Sequence, residues 1–279
     1  MNPDLEMKRV LFCPPTYFEV RDVKNPFMQG AAPVNQEMAR QQWEQVRRAF
    51  SESGCEVAEI EAVPDLEDMV FANNQVFVGR SATGEPFIVP SRMRFASRQR
   101  EVPYYVAWFR QQGYRILELE LGDDYLEGHG DLLWDAGMKR IWAGYGIRST
   151  RGAVEKLAAA MGAMGFEVLP LELSDARFYH LDTCLAPLAA GAVLYYPGAF
   201  SPASRDLIRQ SCRAYEVGLD EALCFVCNGV AGSGRFVTPR ITPGLAQALK
   251  GERLTPVLVE TSEFEKSGGS VCCLKLFVF

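Results

Sequence analysis

Four short runs in this sequence hold the residue types of nucleophilic catalysis: VFANN (70–74), EGHGD (127–131), YHLDTC (179–184) and SGGSVCC (267–273). Cysteine supplies a strong, soft nucleophile once it is a thiolate, and histidine moves protons near neutral pH. Carboxylates hold cations through charge-assisted hydrogen bonds. Singly, each run is weak. A lone His-X-Asp is more often a surface turn, a Gly-rich turn before a strand is common, and a cysteine in an apolar run is usually a buried core thiol. Their weight comes from falling at equivalent places in a repeated pattern.

Helical periodicity marks segments at 36–53, 98–112, 150–164, 202–213 and 243–250. Glycines at 54, 113, 165 and 251 read as the ends of four of them. After each helix comes an acid-flanked, strand-like stretch: CEVAEIE (55–61), YRILELE (114–120), FEVLPLE (166–172), YEVGLDE (215–221) and RLTPVLVE (253–260). A polar stretch and a further strand complete the unit, which recurs about five times at the spacing of a repeat architecture. Five αβ units suggest a closed ring, in which no unit lacks a neighbour. The reactive residues follow the acid-flanked strand each time: Asn73 and Asn74, then Glu127 to Asp131, His180 and Asp182, Cys227 and Asn228, and Cys272 and Cys273. In a ring, equivalent positions point at a common axis and meet in one pocket.

Composition narrows the partners. The chain has 279 residues, 48% of them apolar, enough for a sizeable core, and no linker divides it, so one domain over 1–279 is expected. The net charge of −6 without a long basic run argues against nucleic acid and mildly favours a cationic small molecule. No apolar run of about 18 residues exists for a membrane span, and residues 1–9 lack a signal-peptide apolar core, so a cytoplasmic protein is expected. The eight scattered cysteines then read as reduced thiols. No cofactor is implied. One CxxC, Cys224 to Cys227, with His129 and His180 makes only a weak zinc signature, so no metal site is expected. A homo-oligomer is compatible with the sequence but not specified by it.

These runs resemble the guanidino-group-modifying (pentein) superfamily, which includes arginine deiminases, dimethylarginine dimethylaminohydrolases, amidinotransferases and arginine dihydrolases. Gly268-Gly269-X-X-Cys272 is similar to its nucleophile motif, His180-Leu-Asp182-Thr183 to its His-X-Asp motif, and Glu127-Gly-X-Gly-Asp131 to its acidic motif. The resemblance implies an α/β five-bladed propeller, in agreement with the five units. It also implies a catalytic set of Cys272, His180 and Glu127 and a small cationic guanidino substrate. Cys272 would attack the guanidinium carbon. Glu127 and Asp182 would hold the cation, and His180 would protonate the departing amine and then activate water against the thiouronium. Cys272 is favoured over Cys273 by its spacing from the glycine pair, on the premise that strand side chains alternate faces. Arg148, and Arg98 with competitors Arg94 and Arg100, resemble residues that grip a substrate carboxylate. Asn25 in an Asn-Pro-Phe-Met segment resembles a lid or contact residue, and Phe71 and Asn74 lie in the substrate-binding VFANN run.

Asn74 stands where deiminases and dimethylarginine hydrolases of the superfamily this sequence resembles usually carry Asp and where the arginine dihydrolases have Asn. An ionised Asp only accepts hydrogen bonds, whereas Asn also donates and can hold a ureido carbonyl. Two outcomes therefore remain open: hydrolysis on to ornithine, carbon dioxide and two ammonia, or a single step stopping at citrulline. Amidino transfer, zinc binding and a catalytically dead propeller are the more distant readings.

Overall fold

In a computed structural model of the chain, residues 9–137 and 139–279 are described. They form five three-stranded sheets, each with the same plan. An antiparallel hairpin comes first, and a helix then crosses back to lay a third strand parallel to the middle one. The second blade shows it plainly: Val76–Arg80 pairs antiparallel with Pro86–Pro90, which pairs parallel with Arg115–Ile116. The third, fourth and fifth blades repeat this with Leu132–Trp134, Arg140–Tyr145 and Glu167–Glu172, then Leu185–Ala189, Ala192–Tyr195 and Arg213–Glu216, then Val230–Gly232, Arg235–Thr238 and Thr255–Leu258. The first blade joins the chain's two ends, because Lys275–Val278 runs antiparallel to Arg9–Phe12, whose other neighbour is Glu56–Glu59. The expected five-bladed αβ propeller is the fold.

The acid-flanked stretches are the third strands, exposed at the sheet edges. Charged flanks suit an edge, where open backbone groups invite mispairing. Gly54, Gly113 and Gly165 take left-handed φ of 87°, 81° and 86° just past their helices, as expected of C-terminal glycines. Gly251 does not: the helix Pro243–Glu252 continues past it, and Arg253 takes the left-handed position. A Cβ at 251 would sit 2.3 Å from the Tyr215 hydroxyl, so this glycine serves close packing.

Two other expectations need correction. The helix read over 98–112 is two helices, Ala96–Gln99 and Val102–Gln111. Pro103 has no N–H and its ring clashes with the carbonyl four residues back, that of Gln99, so the first helix stops there. The stretch 215–221 is strand only to Glu216, and Leu219–Leu223 is a short helix started by the Glu221 carboxylate accepting the Gly218 N–H. No helix among the described residues is long and apolar enough to cross a membrane.

Candidate active site

The segment before the first strand of each hairpin is a short helical turn or tight bend. These turns carry the reactive residues: 71–75, Gly128–Asp131, Leu181–Thr183, Val226–Asn228 and Val271–Leu274. Because the five hairpins surround one axis, the five turns converge at one end of the ring. A cavity there is lined by Asn25, Phe71, Asn74, Arg98, Arg148, Tyr179, His180 and Cys273, with Lys24 and Asp68. Its free volume of about 20 Å³ is room for roughly one water.

His180 and Glu127 meet as expected, with Nε2 and Oε2 2.7 Å apart and both residues buried. Glu127 also accepts from Arg148 Nη1 at 3.0 Å and from the Arg94 backbone N–H at 2.8 Å. Burial pushes the Glu127 carboxyl up, but Arg148 and His180 more than reverse this and hold it below the usual carboxylate range. It is therefore an anion in direct contact with the imidazole. The other ring nitrogen, Nδ1, lies beside Gly130, where a Cβ would be 3.1 Å from Nδ1 and 2.3 Å from Asn74 Nδ2. The second glycine of EGHGD thus lets His180 and Asn74 approach each other. Asp131 is a scaffold residue: it accepts from Ser149 Oγ at 2.6 Å and from the Leu181 N–H at 3.1 Å.

The two adjacent cysteines lie on different cavities. Cys273 lines this cavity, and its thiol lies 3.3 Å from Asp182 Oδ2. Cys272, expected as the nucleophile, lines a second cavity, and its sulfur lies 3.6 Å from Asn73 Nδ2 and 3.7 Å from Lys275 Nζ. The premise of strand alternation fails because Val271–Leu274 is a helical turn, and the strand begins only at Lys275. Asn228 pins that turn: its Oδ1 accepts from the N–H groups of Ser270, Cys272 and Cys273 at 3.0, 3.2 and 3.4 Å. Burial raises both thiols, that of Cys272 to about 11, and that of Cys273 well above the ordinary thiol range with Asp182 adding to the effect. Without a cation beside it, Cys273 is a protonated thiol donating to Asp182. Burial lifts Asp182 to about 6, against the opposing bonds from Cys273 and Asn73.

The remaining expected residues are at the cavity in different roles. Asn74 Oδ1 accepts from Arg98 Nη1 at 3.0 Å, which leaves its buried Nδ2 without a partner. Arg98 spends its other donors on Glu101 and on the carbonyls of Asp68 and Phe71, so it orients Asn74 more than it waits for a ligand. Burial raises Glu101 to about 7 even against that arginine. Arg148 is sandwiched between the rings of Phe95 and Tyr179, 4.7 and 4.8 Å from their centres, and keeps donors to spare. Asn25 reaches across the mouth to the Ser267 carbonyl at 2.9 Å.

Sequence reasoning missed Asp68, Lys24 and Tyr179. Lys24 Nζ lies 3.1 Å from Asp68 Oδ2, while Asp68 Oδ1 has no hydrogen-bond partner at the cavity. Nothing in the spacing of these residues marked them. Asn73 and Asn228 did occupy the repeated position and could have been taken from it.

Comparison with known proteins shows the family. The family described as N,N dimethylarginine dimethylhydrolase, eukaryotic, matches residues 14–279. A dimethylarginine dimethylaminohydrolase of Mycobacterium tuberculosis is 36% identical over 96% of this chain and 85% of its own. The bifunctional arginine dihydrolase/ornithine cyclodeaminase of Synechocystis is 37% identical over 97% of this chain and 37% of its own. The N-terminal domain of a cyanobacterial arginine dihydrolase, solved as a cysteine-to-serine mutant bound to substrate, superposes with a TM-score of 0.89 at 34% identity, covering 96% of this chain and 97% of that one.

Proposed function

The chain belongs to the dimethylarginine dimethylaminohydrolase family, hydrolases of carbon–nitrogen bonds in linear amidines, and on that premise we propose that it hydrolyses arginine or a close derivative through a covalent adduct on Cys273, continuing past citrulline to ornithine. The whole chain acts as one catalytic unit. The observation that carries the second half is the unpartnered Nδ2 of Asn74. With its oxygen held by Arg98, this amide presents a donor to the cavity. A guanidinium has only donors and gains nothing from it, but the ureido oxygen of citrulline accepts from it.

Geometry orders the steps. The guanidinium enters between Asp182 and Cys273 and replaces the thiol as the carboxylate's partner. A cation beside the sulfur favours the thiolate. The thiolate adds to the guanidinium carbon, His180 protonates the departing ammonia, and a thiouronium remains. His180 then takes a proton from water as it attacks that carbon, and the thiolate leaves with citrulline as product. In a second round the thiolate attacks the ureido carbon, whose oxygen the Asn74 amide stabilises. Loss of ammonia and hydrolysis of the thiocarbamate give carbon dioxide and ornithine. At the other end, Asp68 Oδ1 takes the α-ammonium and Arg148 the α-carboxylate. A cavity of about 20 Å³ cannot admit an amino acid, so the Asn25–Ser267 contact parts on entry. The scatter of eight cysteines along the chain supports a reducing, cytoplasmic setting.

Incubation with arginine, methylarginines, agmatine and citrulline, following ammonia and products by mass, tests this. Ornithine with two ammonia per arginine supports it. Citrulline that accumulates and is not consumed returns the protein to single-step hydrolysis.

A further inference from the structure

The ring has a second cavity at the hairpin-turn end, of about 670 Å³, which shares no lining residue with the first. That volume is typical of small-molecule sites. Its walls include Leu133, Trp134, Leu188 and Val230, and its rim carries Lys139 and Arg253. The rim carboxylate, Glu252, is taken by Arg213 at 3.0 Å.

Lys275 lines this cavity and is only 4% exposed. The buried lysine of the other cavity, Lys24, has carboxylate oxygens of Asp22, Glu67 and Asp68 within 4 Å. Lys275 has none among the described residues. Its contacts are the Cys272 sulfur at 3.7 Å and the Phe277 ring at 4.1 Å. His129 beside it supplies no charge, since burial and Lys275 lower its imidazole to about 3 and Nε2 accepts the Val78 N–H. Asp182 acts on Lys275 only from beyond ion-pair distance; a buried ammonium without an anion in contact is costly, and an apolar-walled cavity with one such cation suits a ligand that brings the missing charge.

We propose that this cavity binds an amphipathic organic carboxylate, its anionic group on Lys275 and its apolar body against Trp134 and Leu133. The site is separate from the substrate cavity and linked to it by one side chain, since Asn73 Nδ2 touches both Cys272 Sγ and Asp182 Oδ2. Isothermal titration of the full-length protein with 2-naphthoate, and with the neutral isostere 2-naphthamide, tests this without relying on turnover. One-to-one binding is expected, at least about tenfold weaker for the amide and for Lys275→Met, and within about threefold of wild type for Lys275→Arg. Saturating L-arginine on a Cys273→Ser variant leaves it unchanged. Absence of binding, equal binding of the amide, indifference to Lys275→Met or displacement by arginine would each overturn the proposal. The comparison of acid and amide on the unaltered protein stands even if Lys275→Met does not fold.

Discussion

Cys272 and Cys273 are adjacent in the chain yet line different cavities, because successive side chains on a helical turn point about 100° apart. Cys273 donates directly to Asp182, whereas Asn73 stands between Asp182 and the Cys272 sulfur. Cys273→Ser is accordingly expected to lower kcat by at least about a thousandfold with an unchanged far-UV spectrum, and Cys272→Ser to stay within about threefold of wild type. Asp182 sets the acidic limit. It must be ionised to receive the guanidinium, and burial holds it at about 6, so kcat/KM falls as pH drops through about 6, whereas kcat, reporting the cation-bound state, falls at lower pH. The same shift has a sign for stability. A carboxyl whose folded value lies above its unfolded value near 4 binds extra protons when folded between about pH 4 and 6, so its contribution is fully present below that window and is lost as pH rises through it. Asp182→Asn therefore removes a penalty that grows from about pH 4 to 6 and then levels off. Denaturant unfolding of the variant against wild type should show that widening gap, together with lost turnover.

The turns ahead of the hairpins do the positioning, and they depend on backbone approach. Gly128 sits at φ +49°, with Asn74 and Val76 carbonyls 2.5 and 2.7 Å from where a Cβ would be. At Gly130 a methyl group would displace the Asn74 amide from beside His180. Gly130→Ala should thus cost about a hundredfold or more in kcat while the protein still unfolds cooperatively, as a steady-state assay and a melting curve would show together. Much at this scale was legible in the sequence. Helical periodicity, acid-flanked strands and the recurrence of polar residues after them gave five units and brought Asn74, Glu127, His180 and Asp182 to one place. Local geometry inside the turns was not legible. Whether Val271–Leu274 is helix or strand depends on three N–H groups converging on Asn228, from a neighbouring blade. That Arg98 is held by Glu101 follows from the Pro103 break, whose consequence for side-chain direction no periodicity reveals. Asp68 and Lys24 are a tertiary pair with no repeat to mark them.

At the scale of the whole molecule, the site exists because the last strand closes on the first. Lys275–Val278 follows the Cys273 turn directly and is fixed by pairing with Arg9–Phe12, where Leu276 opposes Leu11 and both are fully buried. Leu276→Ala should therefore destabilise by about 2–5 kcal/mol, read from the shift in urea midpoint. The loss of activity on warming should track the loss of this closure. Carboxylates at one end and an ammonium with no carboxylate within ion-pair distance at the other also give the ring two chemically different mouths, so that the proposed cationic substrate and anionic ligand would address it separately.

The central claim is that the sulfur at 273 attacks the guanidinium carbon. Acid-quenching the enzyme during turnover of arginine and fragmenting the 267–275 region by tandem mass spectrometry reads this directly. An adduct of arginine less ammonia on Cys273, absent from Cys272, is the predicted result; the adduct on Cys272, with Cys273 unmodified, would contradict the account.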